Sequence, residues 1–455
     1  MKPKFSFSQL RWASLVLAVV LSACGGGGGG GSAASGVTYT LSGTLTGLGA
    51  GKQLILLNNA ANATTVTANG TFTFVTAVAS GSSYAITVGT QPAGQTCTVT
   101  SATGSGVLAN VVSVVVACAV DHYAYVANYV GNTVSQYRVG GDGGLIGLSP
   151  ATVAAGSNPG AVTIAPSGQY AYVANYHGNT LSQYSIGADG SLTPLATATV
   201  ATGTQPGGVT IDPTGKYAYV TNATDSTVSQ YSIGSDGALT PLSPATVATG
   251  TAPLAITVDP SSKYAYVANT GVSSVGTSVS QYSIGSDGTL TPLSPATVTT
   301  GTGPSSVTVD ASGKYAYVAN YGSNTLSQYS IDASTGALTP LSTASVATGL
   351  NPYSVTIDPS GKYAYVANAN DNTVSQYSLA SDGTLTPMST ATVATGSHPL
   401  SVNVDPTGQY AYVTNLLSST VSQYSIGSGG ALTPLGTASV ATGSGPYAIA
   451  SGTAH

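Results

Sequence analysis

The chain has 455 residues, of which only 5% are charged, and its formal net charge is −5. All its acids are Asp, and its nine Lys and Arg residues form no basic cluster, which excludes nucleic acid as a partner. Abundant Thr, Ser, Val, Tyr, Gly and Asn instead predict β-structure with uncharged polar surfaces.

The first 23 residues predict an export signal. Lys2, Lys4 and Arg11 accompany the apolar run "WASLVLAVVLSAC", which is too short to span a bilayer. Its last four residues, "LSAC", resemble the lipobox of bacterial lipoproteins. That resemblance implies cleavage before Cys24 and lipidation of the Cys24 thiol. The alternative is an ordinary secretory signal with an incidental Cys.

Residues 24–36 are predicted to form a tether between the lipidated Cys24 and the folded protein. The stretch "GGGGGGGSAAS" cannot pack, and a flexible chain of this length reaches about 20 Å. We therefore expect a protein anchored to a membrane of the bacterial cell envelope. The outer membrane is favoured, with the protein facing the periplasm or the cell surface.

Residues 37–118 are predicted to form a small β-sandwich domain. Short β-rich runs such as "KQLILLNN", "SYAITVGTQP" and "VVSVVVACAV" are separated by turn signals such as Ala68-Asn69-Gly70. Cys97 and Cys118 predict a disulfide, because exported chains oxidise neighbouring thiols, and a loop of this size contributes about 3 kcal/mol. A free buried pair is the alternative.

Residues 119–455 contain a seven-fold repeat. The motif "YAY" recurs every 47 residues, with single spacings of 51 and 48, and begins at Tyr123, Tyr170, Tyr217, Tyr264, Tyr315, Tyr363 and Tyr410. A β-rich period of 40–50 residues is typical of propeller blades. The first repeat begins at its second strand and the C-terminal "PYAIASGTAH" supplies a lone first strand. This offset predicts a ring of seven blades closed by the C-terminal strand; a straight solenoid is the alternative.

The repeat resembles a known family. "KYAYVAN" and "KYAYVTN", followed by "TVSQYSI" and "GSDGTLTPL", are similar to the YVTN-repeat, lactonase-like (6-phosphogluconolactonase-type) seven-bladed propellers. Residues 37–118 resemble the small β-domains that precede such propellers in bacterial lipoproteins. The family includes sugar-lactone hydrolases and lactone-forming cycloisomerases, which use Arg, His and Glu in or near the central channel.

The chain departs from the family's catalytic pattern. It contains no Glu, and Arg138, its only Arg after the signal, occupies a strand position where the other copies have Ser. Most Asp residues fall in the first or third turn of a repeat, where an Asp accepts hydrogen bonds from its own backbone. Neither paired acid–base groups nor converging carboxylates are evident. No catalytic residue, metal site or cofactor is therefore predicted.

The seven copies differ mainly in two loops, one after "YVAN" and one before the innermost strand. Both loops lie on one side of a four-stranded blade, here called the variable face. Its Tyr, His and Asp residues are the predicted ligand-binding residues, because Tyr and His on rigid loops are typical of recognition surfaces. They are Tyr129, Tyr176, His177, Asp225, Tyr321, Tyr353, Asp371, His398 and Tyr447. Drift in weakly constrained loops is the alternative. Two framework Tyr residues in "YAY" and one in "SQY" are predicted to pack the blades.

The sequence thus predicts an all-β lipoprotein with a small β-sandwich and a seven-bladed propeller. The favoured function is a non-enzymatic binding or scaffold module whose variable face holds an envelope protein or carbohydrate. A lactonase-like hydrolase or cycloisomerase acting on a sugar lactone is the alternative. A packing element of a surface layer is a third possibility, favoured by the low charge and the near-identical repeats.

Overall fold

The computed structural model describes residues 36–453, and nearly all of its regular structure is β-strand. The predicted signal, Cys24 and most of the tether lie outside the described residues. Within the described part, the only helical segment is a 3₁₀ turn at Val272–Ser274. No helix there is long and apolar enough to cross a bilayer.

The small domain is a sandwich of two four-stranded sheets with a short two-stranded ribbon. One sheet has the order β5-β2-β10-β8 and the other β4-β3-β7-β9, while β1 pairs with β6. The alternating buried side chains of both sheets meet in one apolar core around Leu41, Leu56 and Val114. The strands are β1 (Thr38–Tyr39), β2 (Leu41–Thr46), β3 (Leu54–Asn58), β4 (Asn62–Val66), β5 (Gly70–Thr73), β6 (Val78–Ala79), β7 (Tyr84–Thr90), β8 (Gln95–Thr100), β9 (Thr103–Gly104) and β10 (Val111–Val120).

The junction between the two folded parts is short. Strand β10 extends to Val120, two residues beyond the predicted boundary, and the next strand begins at His122. Between them, the Asp121 amide donates to the Gly94 carbonyl at 3.0 Å, and Thr96 Oγ1 donates to Asp121 Oδ1 at 2.6 Å. The predicted disulfide joins Cys97 and Cys118, which face each other on β8 and β10.

The propeller contains seven four-stranded antiparallel blades. From the channel outward, blade 1 consists of β38 (Pro446–Thr453), β11 (His122–Asn128), β12 (Thr133–Val139) and β13 (Leu145–Ala154). Blades 2 to 4 are β14 (Pro159–Ile164), β15 (Tyr170–Asn175), β16 (Thr180–Ile186), β17 (Leu192–Ala201); β18 (Pro206–Ile211), β19 (Tyr217–Asn222), β20 (Thr227–Ile233), β21 (Leu239–Ala248); and β22 (Pro253–Val258), β23 (Tyr264–Asn269), β24 (Ser278–Ile284), β25 (Leu290–Thr299). Blades 5 to 7 are β26 (Pro304–Val309), β27 (Tyr315–Asn320), β28 (Thr325–Ile331), β29 (Leu338–Ala347); β30 (Pro352–Ile357), β31 (Tyr363–Asn368), β32 (Thr373–Leu379), β33 (Leu385–Ala394); and β34 (Pro399–Val404), β35 (Tyr410–Asn415), β36 (Thr420–Ile426), β37 (Leu432–Ala441).

The C-terminal strand closes the ring, as the sequence predicts. Strand β38 pairs antiparallel with β11 over its whole length. Ile449 of this strand is 5% exposed and packs in a core that includes Tyr137 of blade 1 and Tyr412 of blade 7. The innermost strand of blade 1 therefore comes from the opposite end of the chain, and no inner sheet edge is left open.

The repeated Tyr and Gln residues join each blade to the next, which confirms the framework role predicted for the Tyr residues. The Tyr125 hydroxyl donates to the Gly190 carbonyl in blade 2 at 2.7 Å. Gln136 Oε1 accepts from the Leu192 amide of blade 2 at 2.6 Å, while its Nε2 donates to Pro150 within its own blade. The Tyr contact recurs in every blade, so the repeats preserve these residue types for hydrogen bonding as well as for packing.

The repeated turns are held by Asp and Gly. Asp310 is buried, and its Oδ1 accepts from the amides of Lys314 and Tyr315 at 2.9 and 2.8 Å. In the third turn, Gly190 has a φ of +79°, and a Cβ there would lie 2.0 Å from a ring carbon of Tyr123. Only Gly fits this position, which explains why the turn recurs with Gly. Both turns lie on the side of the ring opposite the variable face.

Candidate functional site

The variable face is rigid because a buried Asn ends the second strand of each blade. In blade 2, Asn175 Oδ1 accepts from the Gly156 amide at 3.0 Å, and Asn175 Nδ2 donates to the hydroxyls of Thr180 and Ser182. Asn175 has no solvent exposure. The loop after the second strand is thereby fixed against the loop that enters the blade, and side chains on both loops have defined positions.

Six of the nine predicted residues form one continuous aromatic cluster at the channel mouth. Tyr447 stacks on Tyr129 with ring centroids 5.4 Å apart and meets Tyr353 edge-on at 5.7 Å. Tyr321 meets Tyr353 at 6.2 Å. The aromatic cluster consists of Tyr129, Tyr176, His177, Tyr321, Tyr353 and Tyr447, and its members come from blades 1, 2, 5 and 6.

Tyr353 and Tyr447 meet at the mouth of the channel. They lie one residue into the innermost strands of blades 6 and 1, and their hydroxyl groups contact each other across blade 7. The cavity beside them has a volume of about 130 Å³ and is lined by all seven innermost strands. That space holds about four waters, whereas small-molecule pockets usually measure about 300–1,000 Å³. A ligand of sugar size therefore has to approach the aromatic cluster from solvent.

Three hydroxyl groups of the aromatic cluster, those of Tyr129, Tyr353 and Tyr447, have a raised pKa and are neutral at physiological pH. Burial raises the pKa of Tyr447 to about 12 and raises the pKa of Tyr353 well above its usual value, with the neighbouring Tyr447 adding to the Tyr353 shift. Burial, and then Tyr176, also raises the pKa of Tyr129. Each of these three hydroxyls can thus both donate and accept a hydrogen bond.

The variable face carries little charge. Its loops contain no Lys or Arg, and Asp225 and Asp371 are their only acids. The four propeller lysines directly precede "YAY" and so lie on the opposite side of the ring. The loops of this face therefore offer neither a Lys or Arg side chain nor a cluster of carboxylates to a charged ligand.

His177 is exposed at the edge of the aromatic cluster. Its Nδ1 lies 3.0 Å from Asn158 Oδ1 and 3.5 Å from the Tyr129 hydroxyl. Asn158 Nδ2 in turn donates to the Tyr129 carbonyl at 2.9 Å, and Gln205 Oε1 accepts from the Tyr176 hydroxyl at 3.1 Å. Asn158 and Gln205 were missed by the sequence analysis. In the sequence, both could have been recognised as polar residues directly before the Pro that begins the innermost strand. In the structure, both have a positive φ.

Asp225, Asp371 and His398 lie on the variable face but outside the aromatic cluster. The Oδ2 atoms of Asp225 and Asp371 accept from the amides of Thr204 and Leu350, both at 2.6 Å. Ser hydroxyls make the same contact in blades 5 and 7, so these carboxylates brace loops. His398 has a φ of +58°, and its backbone amide donates to Asn372 Oδ1. Their role in ligand binding stays a prediction.

A larger cleft lies where the small domain meets blades 1 and 7. It has a volume of about 450 Å³, and its lining includes His122, Arg138, Asp121 and Tyr410. Blade 1 departs from the other repeats here, with His122 in place of Lys or Gln and Arg138 in place of Ser. The cleft coincides with the docking contacts of Asp121, so we attribute these departures to accommodating the small domain.

Among residues 36–453, no three His, Cys or Asp side chains gather closely enough to hold a metal ion. The channel-lining strands contribute Gly, Ala, Ser, Leu and Tyr at the mouth. The arrangement thus offers stacking surfaces and neutral hydrogen-bonding groups.

Comparisons with known proteins place the chain in a family. The sequence model of the family "Lactonase, 7-bladed beta-propeller" matches residues 72–396. Solved structures with a similar fold include a putative 6-phosphogluconolactonase from Bacteroides fragilis, at 22% identity and a TM-score of 0.63, covering 73% of this chain and 98% of that one. The periplasmic gluconolactonase of Pseudomonas aeruginosa has 20% identity and a TM-score of 0.62, covering 74% and 100%. No curated protein gives a significant match. The chain belongs to the seven-bladed β-propeller family of the lactonases.

Proposed function

We propose that this protein is a lipid-anchored binding module of the bacterial cell envelope that holds an uncharged carbohydrate on its variable face. The observation that carries the proposal is the aromatic cluster, which joins five Tyr rings and one His ring from four blades around the channel mouth. The anchor is Cys24, on the strength of the lipobox in the sequence.

The chemistry of the aromatic cluster suits a sugar ring. Tyr rings supply large, rigid apolar surfaces that can stack on the C–H face of a pyranose, and their hydroxyls supply polar contacts at the ring edges. Asn158 and Gln205 add amide groups beside Tyr129 and Tyr176. Because the cavity beneath is small, the ligand lies across the face, which favours a chain of sugars over a single enclosed residue.

Titration calorimetry with neutral oligosaccharides is expected to detect binding that depends on the aromatic cluster. Tyr129→Ala and Tyr447→Ala should each weaken binding at least 30-fold, since a buried aromatic anchor contributes roughly 2 kcal/mol or more. The panel comprises cello-, malto-, xylo- and chito-oligosaccharides.

Leu417→Ala is the matched control, because Leu417 is 70% exposed on the same face but lies outside the aromatic cluster. This variant should bind as the parent does. Binding that survives both Tyr substitutions, or no binding to any member of the panel, would contradict the proposal.

Lactone hydrolysis is a second candidate function, favoured by membership of the lactonase propeller family. The sequence weighs against it, because the chain has no Glu and its only Arg after the signal lies at the small-domain junction. We expect no turnover above buffer when proton release is followed over sugar and aliphatic lactones. Turnover that is lost in His177→Ala or His398→Ala would replace the binding proposal with a catalytic one.

A further inference from the structure

Six large apolar side chains of the small domain are exposed, and four of them are more than half exposed, whereas Val115 and Val120 are 42% and 44% exposed. Val37 is 60% exposed, Val75 86%, Leu108 73% and Val112 72%. Val37, Val75 and the pair Leu108 and Val112 come from three separate segments of the chain. Single exposed apolar side chains are common on protein surfaces, so these four need an explanation only if they lie together.

Backbone contacts place all four at the same end of the sandwich. The Val37 carbonyl accepts from the Ser80 amide, and the adjacent Gly81 amide donates to the Val107 carbonyl, next to Leu108. The Phe74 amide, next to Val75, donates to the Leu41 carbonyl. The Val111 amide, next to Val112, donates to the Thr40 carbonyl. We call this group of four residues the apolar tip.

The apolar tip lies at the end of the small domain that is remote from the propeller. Strand β10 starts beside it and runs parallel to β2 toward the propeller. From Val112 to Val120 the strand spans about 26 Å at roughly 3.3 Å per residue. The described chain also begins at this end, at Gly36, where the predicted tether to Cys24 joins the domain.

The surroundings of the apolar tip are uncharged. Between residues 36 and 120 the only charged residue is Lys52, and its Nζ donates to the Ala93 carbonyl, beside the junction with the propeller. Insertion at the tip therefore requires no charge to be desolvated.

We propose that the apolar tip inserts into the membrane interface and stands the protein upright on the bilayer. The apolar tip would contact the same lipid layer that holds the acyl chains of Cys24. The inference therefore rests on the proposed lipid anchor. An acyl anchor at Cys24 would hold the protein at the membrane without by itself fixing the orientation of the folded domains. Contact of the tip with lipid directs the variable face, at the opposite end of the molecule, away from the membrane.

Trp fluorescence tests this inference in the full lipidated chain. The only native Trp is Trp12, in the segment predicted to be removed. Leu108→Trp therefore introduces a single reporter at the tip, and Leu417→Trp introduces a matched one on the variable face. The proteins are reconstituted in phosphatidylethanolamine and phosphatidylglycerol vesicles with or without brominated phosphatidylcholine. We expect about twofold quenching of Leu108→Trp, because interfacial groups lie roughly 5–10 Å into the lipid, and none of Leu417→Trp.

Flotation of the same vesicles separates the two proposals. If the protein floats but Leu108→Trp is quenched no more than Leu417→Trp, the proposed insertion of the apolar tip is contradicted and the proposed lipid anchor is not. If the intact protein does not float, both the proposed lipid anchor and the proposed insertion of the apolar tip are contradicted. Adding Val75→Asp and Val112→Asp to Leu108→Trp should abolish quenching without preventing flotation; unchanged quenching would also contradict the inference.

Discussion

Raising the pH above about 10 is expected to unfold the propeller in one cooperative step. The second Tyr of each "YAY" motif is fully buried, and its hydroxyl donates a hydrogen bond to a carbonyl of the adjacent blade. Burial is the first cause that raises the pKa of each of these residues, followed by neighbouring Tyr and Asp groups. The residues are Tyr125, Tyr172, Tyr219, Tyr266, Tyr317, Tyr365 and Tyr412.

The direction of the effect follows from the raised pKa values. Below the unfolded-state pKa of about 10, these Tyr residues are protonated in both states and their stabilising contribution is complete. Above it, the unfolded chain releases protons that the folded chain retains, so each residue removes about 1.4 kcal/mol of stability per pH unit. Seven such residues remove about 10 kcal/mol per pH unit, which is comparable to the whole stability of a typical domain.

Circular dichroism and absorbance at 295 nm, followed together against pH, measure this transition. The β-sheet signal should disappear over the same narrow pH range in which tyrosinate forms. Tyr317→Phe is the control: it loses the hydrogen bond to the Gly383 carbonyl, worth about 1 kcal/mol, but its stability should fall less steeply with pH. Tyrosinate that forms gradually near pH 10 with an unchanged β-sheet signal would contradict the prediction.

Removing the closing strand, residues 446–455, is expected to abolish cooperative folding of the propeller. Without β38, strand β11 loses its inner partner from His122 to Asn128 and becomes an open edge. The cores that join blade 1 to blades 2 and 7 also lose Ala448 and Ile449. Because each blade is supported on both sides, opening the ring removes two interfaces at once.

Urea unfolding measures the effect in graded steps. Ile449→Ala should cost about 3 kcal/mol, since Ile449 is 5% exposed and its truncation leaves a cavity. Ile449→Val, the matched control, should cost only about 1 kcal/mol. A synthetic peptide of residues 446–455 should restore cooperativity to the truncated chain. An unchanged urea midpoint after truncation would show that the ring does not depend on this strand.

Much of the fold follows from the sequence because propeller structure is periodic. The 47-residue spacing predicts the blade, the turn residues predict where strands end, and the offset between first and last repeats predicts the closing strand. Each of these signals is local or repeats at a fixed interval. The disulfide between Cys97 and Cys118 was likewise predicted and is present.

The sequence also indicated which loops vary, but not which of their side chains meet. Tyr353 and Tyr447 are 94 residues apart and touch only because the ring brings blades 6 and 1 to the two sides of blade 7. Asp225 and Asp371, in the same class of loop, instead brace the backbone. In the sequence, these Tyr and Asp residues are all polar residues in variable loops, and nothing tells one role from the other. The direction in which each side chain points depends on the packing of neighbouring loops, which the sequence does not show.

By itself, the sequence determined the β-propeller, its seven blades, the closing strand and the framework role of the repeated Tyr residues. Each of these features follows from residue types that recur at a regular spacing. Only the tertiary structure decided that six aromatic side chains form one cluster and that Val37, Val75, Leu108 and Val112 share one end of the small domain. These groupings depend on distances across the ring and across the sandwich, and the spacing of residues along the chain does not encode those distances.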